Sequence, residues 1–236
     1  MNCGGEPQSK NPTTSTAQVS PTKTKTGPQE KTMKMRMLGS ACLALTMLLA
    51  GAATKAQELS AADKAKGLEY LEKTKKDLVE ATKGLSEAQW NYKPAPDRWS
   101  VAQVMEHIAL GEDGFQMMLN SQVMKGPAAP DRDLKKTDDA VITMIPDRSH
   151  KAQAPEFLVP KNTFGSGEGS LKHFLESRTK TEELLKTTPG LRDHTMDSPI
   201  GMKLDGYEWI LFSSAHSERH LKQILEVKAD PGFPKS

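Results

Sequence analysis

The chain reads as an all-α protein, a four-helix bundle with a long connection between its second and third helices. Three observations predict this. Apolar residues recur at threes and fours in four long stretches, the spacing that puts one stripe along a helix. Each stretch is bounded by capping or breaking residues, and no run alternates convincingly with the period of a strand.

Ser60 opens the first helical segment, in which Leu68, Leu71, Lys75, Leu78, Thr82 and Leu85 fall on one stripe. Its other faces carry lysines, as expected of solvated helix surface. Pro94 and Pro96, between Trp90 and Trp99, favour extended backbone and end it. Ser100 with Gln103 forms a capping box, and Val101, Val104, Met105, Ile108, Phe115, Met118 and Leu119 carry a second helix toward Lys125. Residues 126–169 hold several Pro and Gly and no sustained period; a short helix from Thr137 to Ile145 and an apolar patch, Phe157 to Pro160, interrupt them. Connections of this length are often functional covers. A third helix is expected from Ser170, along Leu171, Phe174, Leu175, Arg178, Leu184 and Leu185, ending before Pro189 and Gly190. Asp205 with Glu208 then caps a fourth helix that runs to Lys228 and stops ahead of Pro231 and Gly232.

The residues before this region read as a leader. Residues 1–32 are rich in Ser, Thr, Pro, Lys and Gln and too poor in large apolar side chains to offset the entropy of ordering, so a disordered polar stretch is expected. Residues 33–56 read as a signal peptide: basic Lys34 and Arg36, an apolar run from Leu38 to Ala53, and a small-residue cleavage site ending at Ala56. Met33, Met35 or Met37 is then a candidate true start. Export to the periplasm or outside is expected, with a membrane anchor as the outcome if the signal is not cleaved. Both cysteines, Cys3 and Cys42, lie in the leader, which leaves residues 57–236 without a thiol for a disulfide, an Fe–S site or a nucleophile. The basic balance is leader too. Residues 1–56 hold 7 of the 32 Lys+Arg and 2 of the 30 Asp+Glu, leaving 25 against 28 in the bundle domain, so the charge gives no argument for nucleic acid.

The chemistry points to six histidines. His216 and His220 stand one turn apart on the fourth helix, on the face shared by Trp209, Phe212, Ser213, Gln223 and Val227. Residues four apart have Cβ atoms roughly 5 to 6 Å from each other, close enough to bind one first-row ion at about 2.0 to 2.1 Å. His107 on the second helix is the candidate third ligand, and Gly111 one turn on leaves space beside a ligand or serves close packing. On spacing alone, hydrogen-bonded core histidines explain the pattern as well as ligands do. Ser213 and Gln223 are placed to hydrogen-bond the ligand rings. Glu218 lies about 200° around the helix from either histidine, which disfavours a metalloprotease of the HExxH type; Glu106 points elsewhere, toward a surface salt bridge. His150, His173 and His194 are read as solvent-facing, Arg219 as an ion-pair partner, and Trp90, Trp99, Tyr207 and Trp209 as packing residues, with Trp209 a candidate pocket wall.

Two stretches, Trp99 to Ala109 around His107 and Gly206 to Ile224 around His216 and His220, carry a resemblance to the DinB-like (DinB/YfiT) superfamily of metal-dependent enzymes, and the likeness spans about residues 60 to 230. In that superfamily a four-helix bundle holds a divalent metal on one histidine of the second helix and an H-x-x-x-H pair of the last. The resemblance therefore implies that His107, His216 and His220 are ligands. Zn is the cautious assignment, with Ni or Fe as alternatives. It implies a transferase or hydrolase acting on a small molecule, a thiol among the candidates. The competing readings are a non-catalytic metal-binding bundle and a plain helical interaction domain; pairing into a homodimer stays open.

Overall fold

The computed structural model describes residues 58–149 and 153–235; the leader, at 1–32 and 33–56, lies outside them. Helix α1 spans Ala61–Thr82, α2 Glu87–Asn91, α3 Val101–Ser121, α4 Leu134–Met144, α5 Gly167–Thr187 and α6 Gly206–Lys228. The four long ones, α1, α3, α5 and α6, form the bundle. Helix α3 packs against α5 and α6, and α1 against the same two, so that α1 and α3 sit diagonally and the order around the bundle is α1, α5, α3, α6. Helix α4 lies against α6. Among the described residues, no helix is long and apolar enough to cross a membrane.

Side-chain caps fix where most helices begin. Ser60 accepts from the Asp63 amide, and full capping boxes at Ser100/Gln103 and Asp205/Glu208 start α3 and α6. Four features differ from expectation. A further capping box, Ser86 with Gln89, starts the one-turn-long α2, an element not expected from the sequence, ahead of the break at Pro94 and Pro96. Helix α5 starts at Gly167 under a Ser166 cap, a turn before Ser170, and α3 ends at Ser121 in a 3-10 turn over Val123–Lys125. Strands, expected to be absent, occur as a short antiparallel pair: β1, Thr195–Asp197, pairs with β2, Lys203–Asp205, with Thr195 opposite Asp205. The hairpin delivers the chain directly into the α6 cap.

The core is split in two by a polar layer. One apolar half gathers Leu71, Leu119, Leu185, Leu204, Tyr207 and Leu211, the other Leu78, Trp90, Val104, Met105, Phe174 and Ile224. Between them lies a fully buried ion pair, Arg178 of α5 with Glu112 of α3, both of whose carboxylate oxygens take a 2.8 Å bond from the guanidinium. Arg178 also donates to the Leu71 carbonyl and Thr74 of α1 and to Ser217 of α6. Glu112 accepts from Thr181 at 2.6 Å and Ser213 at 2.5 Å. All four bundle helices meet in this one network.

A second ionic cluster sits at the start of α6. Arg132 pairs with Asp205 and Glu208, and Arg192 bridges Asp138 and Asp205 while lying over the Tyr207 ring. Burial and the neighbouring Asp205 carboxylate raise Glu208 to about 7, against the pull of Arg132. A carboxyl that holds its proton more tightly when folded stabilises most below its ordinary value of 4.5 and loses that contribution as pH rises through 7. Between pH 5 and 8, the unfolding free energy of the wild type is therefore expected to fall relative to that of Glu208→Gln; parallel profiles in urea titrations would contradict this assignment.

Replacing Arg178 by Met leaves the Glu112 carboxylate buried with too few donors. Breaking such a pair costs about 3–5 kcal/mol, read as a lower urea midpoint, and the double variant with Glu112→Leu is expected to recover much of the loss.

Candidate metal centre

His107 projects from the middle of α3, and His216 and His220 from one face of α6; all three are buried. Their rings meet. The Nε2 atom of His107 lies 3.1 Å from that of His216 and 3.0 Å from that of His220, and the candidate ligand nitrogens of the trio all fall within 4.8 Å of one another. Nitrogens that share an ion at about 2.0–2.1 Å cannot be more than about 4.2 Å apart, and the two short separations satisfy that limit.

The protons of two rings can be assigned from their neighbours. His107 Nδ1 is 2.8 Å from the Leu158 carbonyl, which only accepts, so Nδ1 carries the hydrogen. His220 Nδ1 is 2.8 Å from Gln223 Oε1, which also accepts from Arg148, so this Nδ1 is a donor as well. Burial holds the His107 imidazole below its ordinary value, outweighing the Leu158 bond. His216 and His220 are held well below, first by burial and then by neighbouring charge, His220 and His107 for His216 and His107 for His220. All three rings are thus neutral near pH 7. In the neutral rings of His107 and His220 both Nε2 atoms are bare, and two lone pairs face each other at 3.0 Å between buried side chains. A cation between them resolves that repulsion, and the donor set, three neutral imidazoles, suits a divalent first-row ion.

The surroundings shape the trio. Trp99 packs on His107 with ring centroids 5.0 Å apart, and Phe115 meets His216 edge-on at 5.4 Å. Trp209, a candidate pocket wall, packs on Phe115 and Phe212, and Phe115 is the ring that in turn meets His216. Trp90 and Tyr207 are buried packing residues at helix ends. A Cβ on Gly111 would stand 2.9 Å from His216 Cε1, so the glycine makes room for the ring. Gln223 holds His220 as its spacing suggested. Ser213 does not reach a ring; its hydroxyl goes to Glu112, because the buried carboxylate is the stronger acceptor.

Other sequence expectations are corrected. Glu106, expected in a surface salt bridge, is buried and accepts backbone N–H bonds from Lys161, Asn162 and Thr163 at 2.8 to 2.9 Å. Burial alone would raise its carboxyl, but these backbone bonds hold it below the usual carboxylate range. His173 is half-buried inside α5, bonded to Asp113 at 2.6 Å and stacked on Phe164, and His194 bonds the Gly126 carbonyl, so neither simply faces solvent; His150 lies outside the described residues. Arg219 donates to the Ile145 and Asp147 carbonyls and lies in the field of the Asp147 and Glu226 carboxylates, in keeping with an ion-pair role. Glu218 faces away from the trio, as expected, toward α1, where it accepts from the Tyr70 hydroxyl. The Glu106 contact had no signal in the sequence, since its partners are main-chain groups.

The family model described as DinB superfamily matches residues 70–224, a span that contains all three histidines, the whole of α3 and α5 and most of α1 and α6. The chain belongs to the DinB superfamily. The uncharacterized protein YuaE of Bacillus subtilis is similar to it, 29% identical over 150 residues that cover 62% of this chain and 87% of YuaE. Among solved structures, the chain is similar to YfiT from Bacillus subtilis, described as a probable metal-dependent hydrolase with an unusual four-helix bundle topology, at 18% identity and a TM-score of 0.46, over 75% of this chain and 92% of YfiT.

At this DinB-superfamily centre, Gly111→Ala sets the gain in helix propensity, about 1 kcal/mol, against a clash with the His216 ring. Overpacking of this kind costs about 1–3 kcal/mol. A net loss of thermal stability together with shifted His216 ring resonances is the expected result.

Proposed function

We propose that this is an exported protein that binds one divalent metal ion through His107, His216 and His220 and acts as a metal-dependent transferase or hydrolase on a small molecule. The observation that carries the reading is the pair of bare Nε2 atoms, on His107 and His220, aimed at each other at 3.0 Å. Zinc is the first choice among the ions that imidazole suits, with nickel or iron next. Three protein ligands leave a coordination position for water or substrate, as catalytic sites do. When bound, such an ion supplies Lewis acidity that makes a water or a thiol nucleophilic near neutral pH.

The chain's own groups prepare the centre for that role. Leu158 and Gln223 fix two rings in the tautomer that presents Nε2, while Trp99 and Phe115 exclude water from their flanks. Among the described residues, Glu106 and Glu218 are both engaged elsewhere, so proton transfer by an adjacent carboxylate of this pair is disfavoured. A thiol, which gives up its proton more readily than water, is a fitting nucleophile for a centre arranged in this way. Export rests on the order of basic, apolar and small residues over 33–56.

Protein purified without chelator is expected to carry close to one divalent ion per chain, and His216→Ala and His220→Ala to lose it. Unchanged metal content in both variants would end the assignment. Turnover of small esters, amides or thiol acceptors by the metal-loaded protein should vanish on chelation and return with Zn²⁺; a loaded protein inert toward every such substrate would favour a non-catalytic metal-binding bundle instead. N-terminal sequencing of protein recovered from a bacterial periplasm is expected to begin at residue 57.

A further inference from the structure

We infer that Glu106 is a positioning residue for the metal centre: by gripping the backbone of residues 161–163 it holds the Leu158 carbonyl where that carbonyl orients His107. This rests on the metal-binding reading above and adds to it a residue that touches neither the ion nor a substrate.

Glu106 and His107 are consecutive on α3, so their side chains leave the helix about 100° apart. Both nevertheless engage the same crossing segment. His107 Nδ1 donates to Leu158, while the Glu106 carboxylate takes the amides of Lys161 and Thr163 on one oxygen and of Asn162 on the other. Three successive amides that converge on one point make a nest that requires an anion, and Asn162, at φ 61°, adopts the left-handed conformation that turns the chain toward it. Lys161, Asn162 and Thr163 are exposed while Glu106 is buried, so it is the carboxylate that needs these donors. Without the carboxylate, the turn loses the three bonds that tie it to α3.

Only Val159 and Pro160 separate the two attachment points. Proline restricts that link, and on the other side a 3-10 turn over Glu156–Leu158, closed by the bond from the Val159 amide to the Glu156 carbonyl, fixes Leu158 from behind. The Leu158 oxygen is therefore held from both directions. It decides which ring nitrogen of His107 carries the proton and so leaves Nε2 free to face His216 and His220. Groups that orient a ligand histidine typically change metal affinity by about 10–100-fold when lost.

The test uses the full chain with Glu106→Gln, which sets an amide NH₂ against a backbone N–H, and Glu106→Asp, which keeps the charge on a side chain one methylene shorter. In metal-free protein, ¹⁵N shifts of the His107 ring report its tautomer; Zn²⁺ affinity is read by chelator competition. Expected are a wild-type His107 with Nδ1 protonated, a mixed tautomer in Glu106→Gln with Zn²⁺ affinity lowered by about 10–100-fold, and intermediate behaviour in Glu106→Asp. If both variants keep the wild-type tautomer and bind Zn²⁺ within about twofold of wild type while their 158–163 amides exchange faster, Glu106 merely anchors a loop and the inference is overturned. Should Glu106→Gln not fold, the same comparison on Glu106→Asp decides. A wild type that binds no Zn²⁺ refutes the metal reading alone, because the tautomer in metal-free protein still answers the question about Glu106.

Discussion

The buried pair of Glu112 and Arg178 is the constraint on which the bundle depends. An ion pair sealed between apolar halves tolerates little misalignment, because each unsatisfied donor or acceptor there costs the full penalty of desolvation. Arg178 spends its hydrogens on α1, α3 and α6 at once, and Glu112 spends its oxygens on α5 and α6. Sliding any helix by one residue breaks several of these bonds together. Apolar packing alone is more forgiving, since hydrophobic side chains of similar volume can re-pack. The polar layer therefore sets the register of the helices, and the histidines inherit it: His216 lies between Ser213 and Ser217, both tied to the pair. The 3.0 to 3.1 Å separations between rings from α3 and α6 follow from a register that the neighbouring layer enforces.

The order of helices around the bundle serves the same end. With α1 and α3 on a diagonal, α3 is free to pack against both α5 and α6, which lets one helix carry Glu112 toward α5 and His107 toward α6. The long connection after α3 then returns across the helix it has just left. It gives His107 its hydrogen-bond acceptor and buries Glu106, so the segment completes the site.

Much of this was legible in the sequence, and what was not had a physical reason. The stripes of α1, α3, α5 and α6 are long enough for their period to be unmistakable, and the Ser60, Ser100 and Asp205 caps mark their starts. His216 and His220 share a face by spacing, and Gln223 falls three residues after His220, within reach of its Nδ1. The start of α5 was misread because two glycines precede its first apolar residue, and the β1–β2 hairpin because three residues per strand carry no period. Arg178 stood in a stripe of leucines and read as one more member; its partners on α1, α3 and α6 are Thr74, Glu112 and Ser217, polar residues in otherwise apolar faces, and noticing them together would have found the layer. Ser213 was assigned to a ring because spacing gives the direction of a side chain and not the competition for it. The role of Glu106 could not be read, because its partners are amides some 55 residues on in a segment without periodicity.

The all-nitrogen composition of the centre also bears on the conditions under which the protein can work. Centres built on thiolates release their ions when oxidants convert sulfur to disulfide or sulfinate, so they suit reducing surroundings. Imidazole has no such weakness, and residues 57–236 contain no cysteine at all. Loss of the ion through sulfur oxidation is closed to this domain, and what oxidants can attack instead is peripheral thioether, such as the exposed side chains of Met117 and Met144.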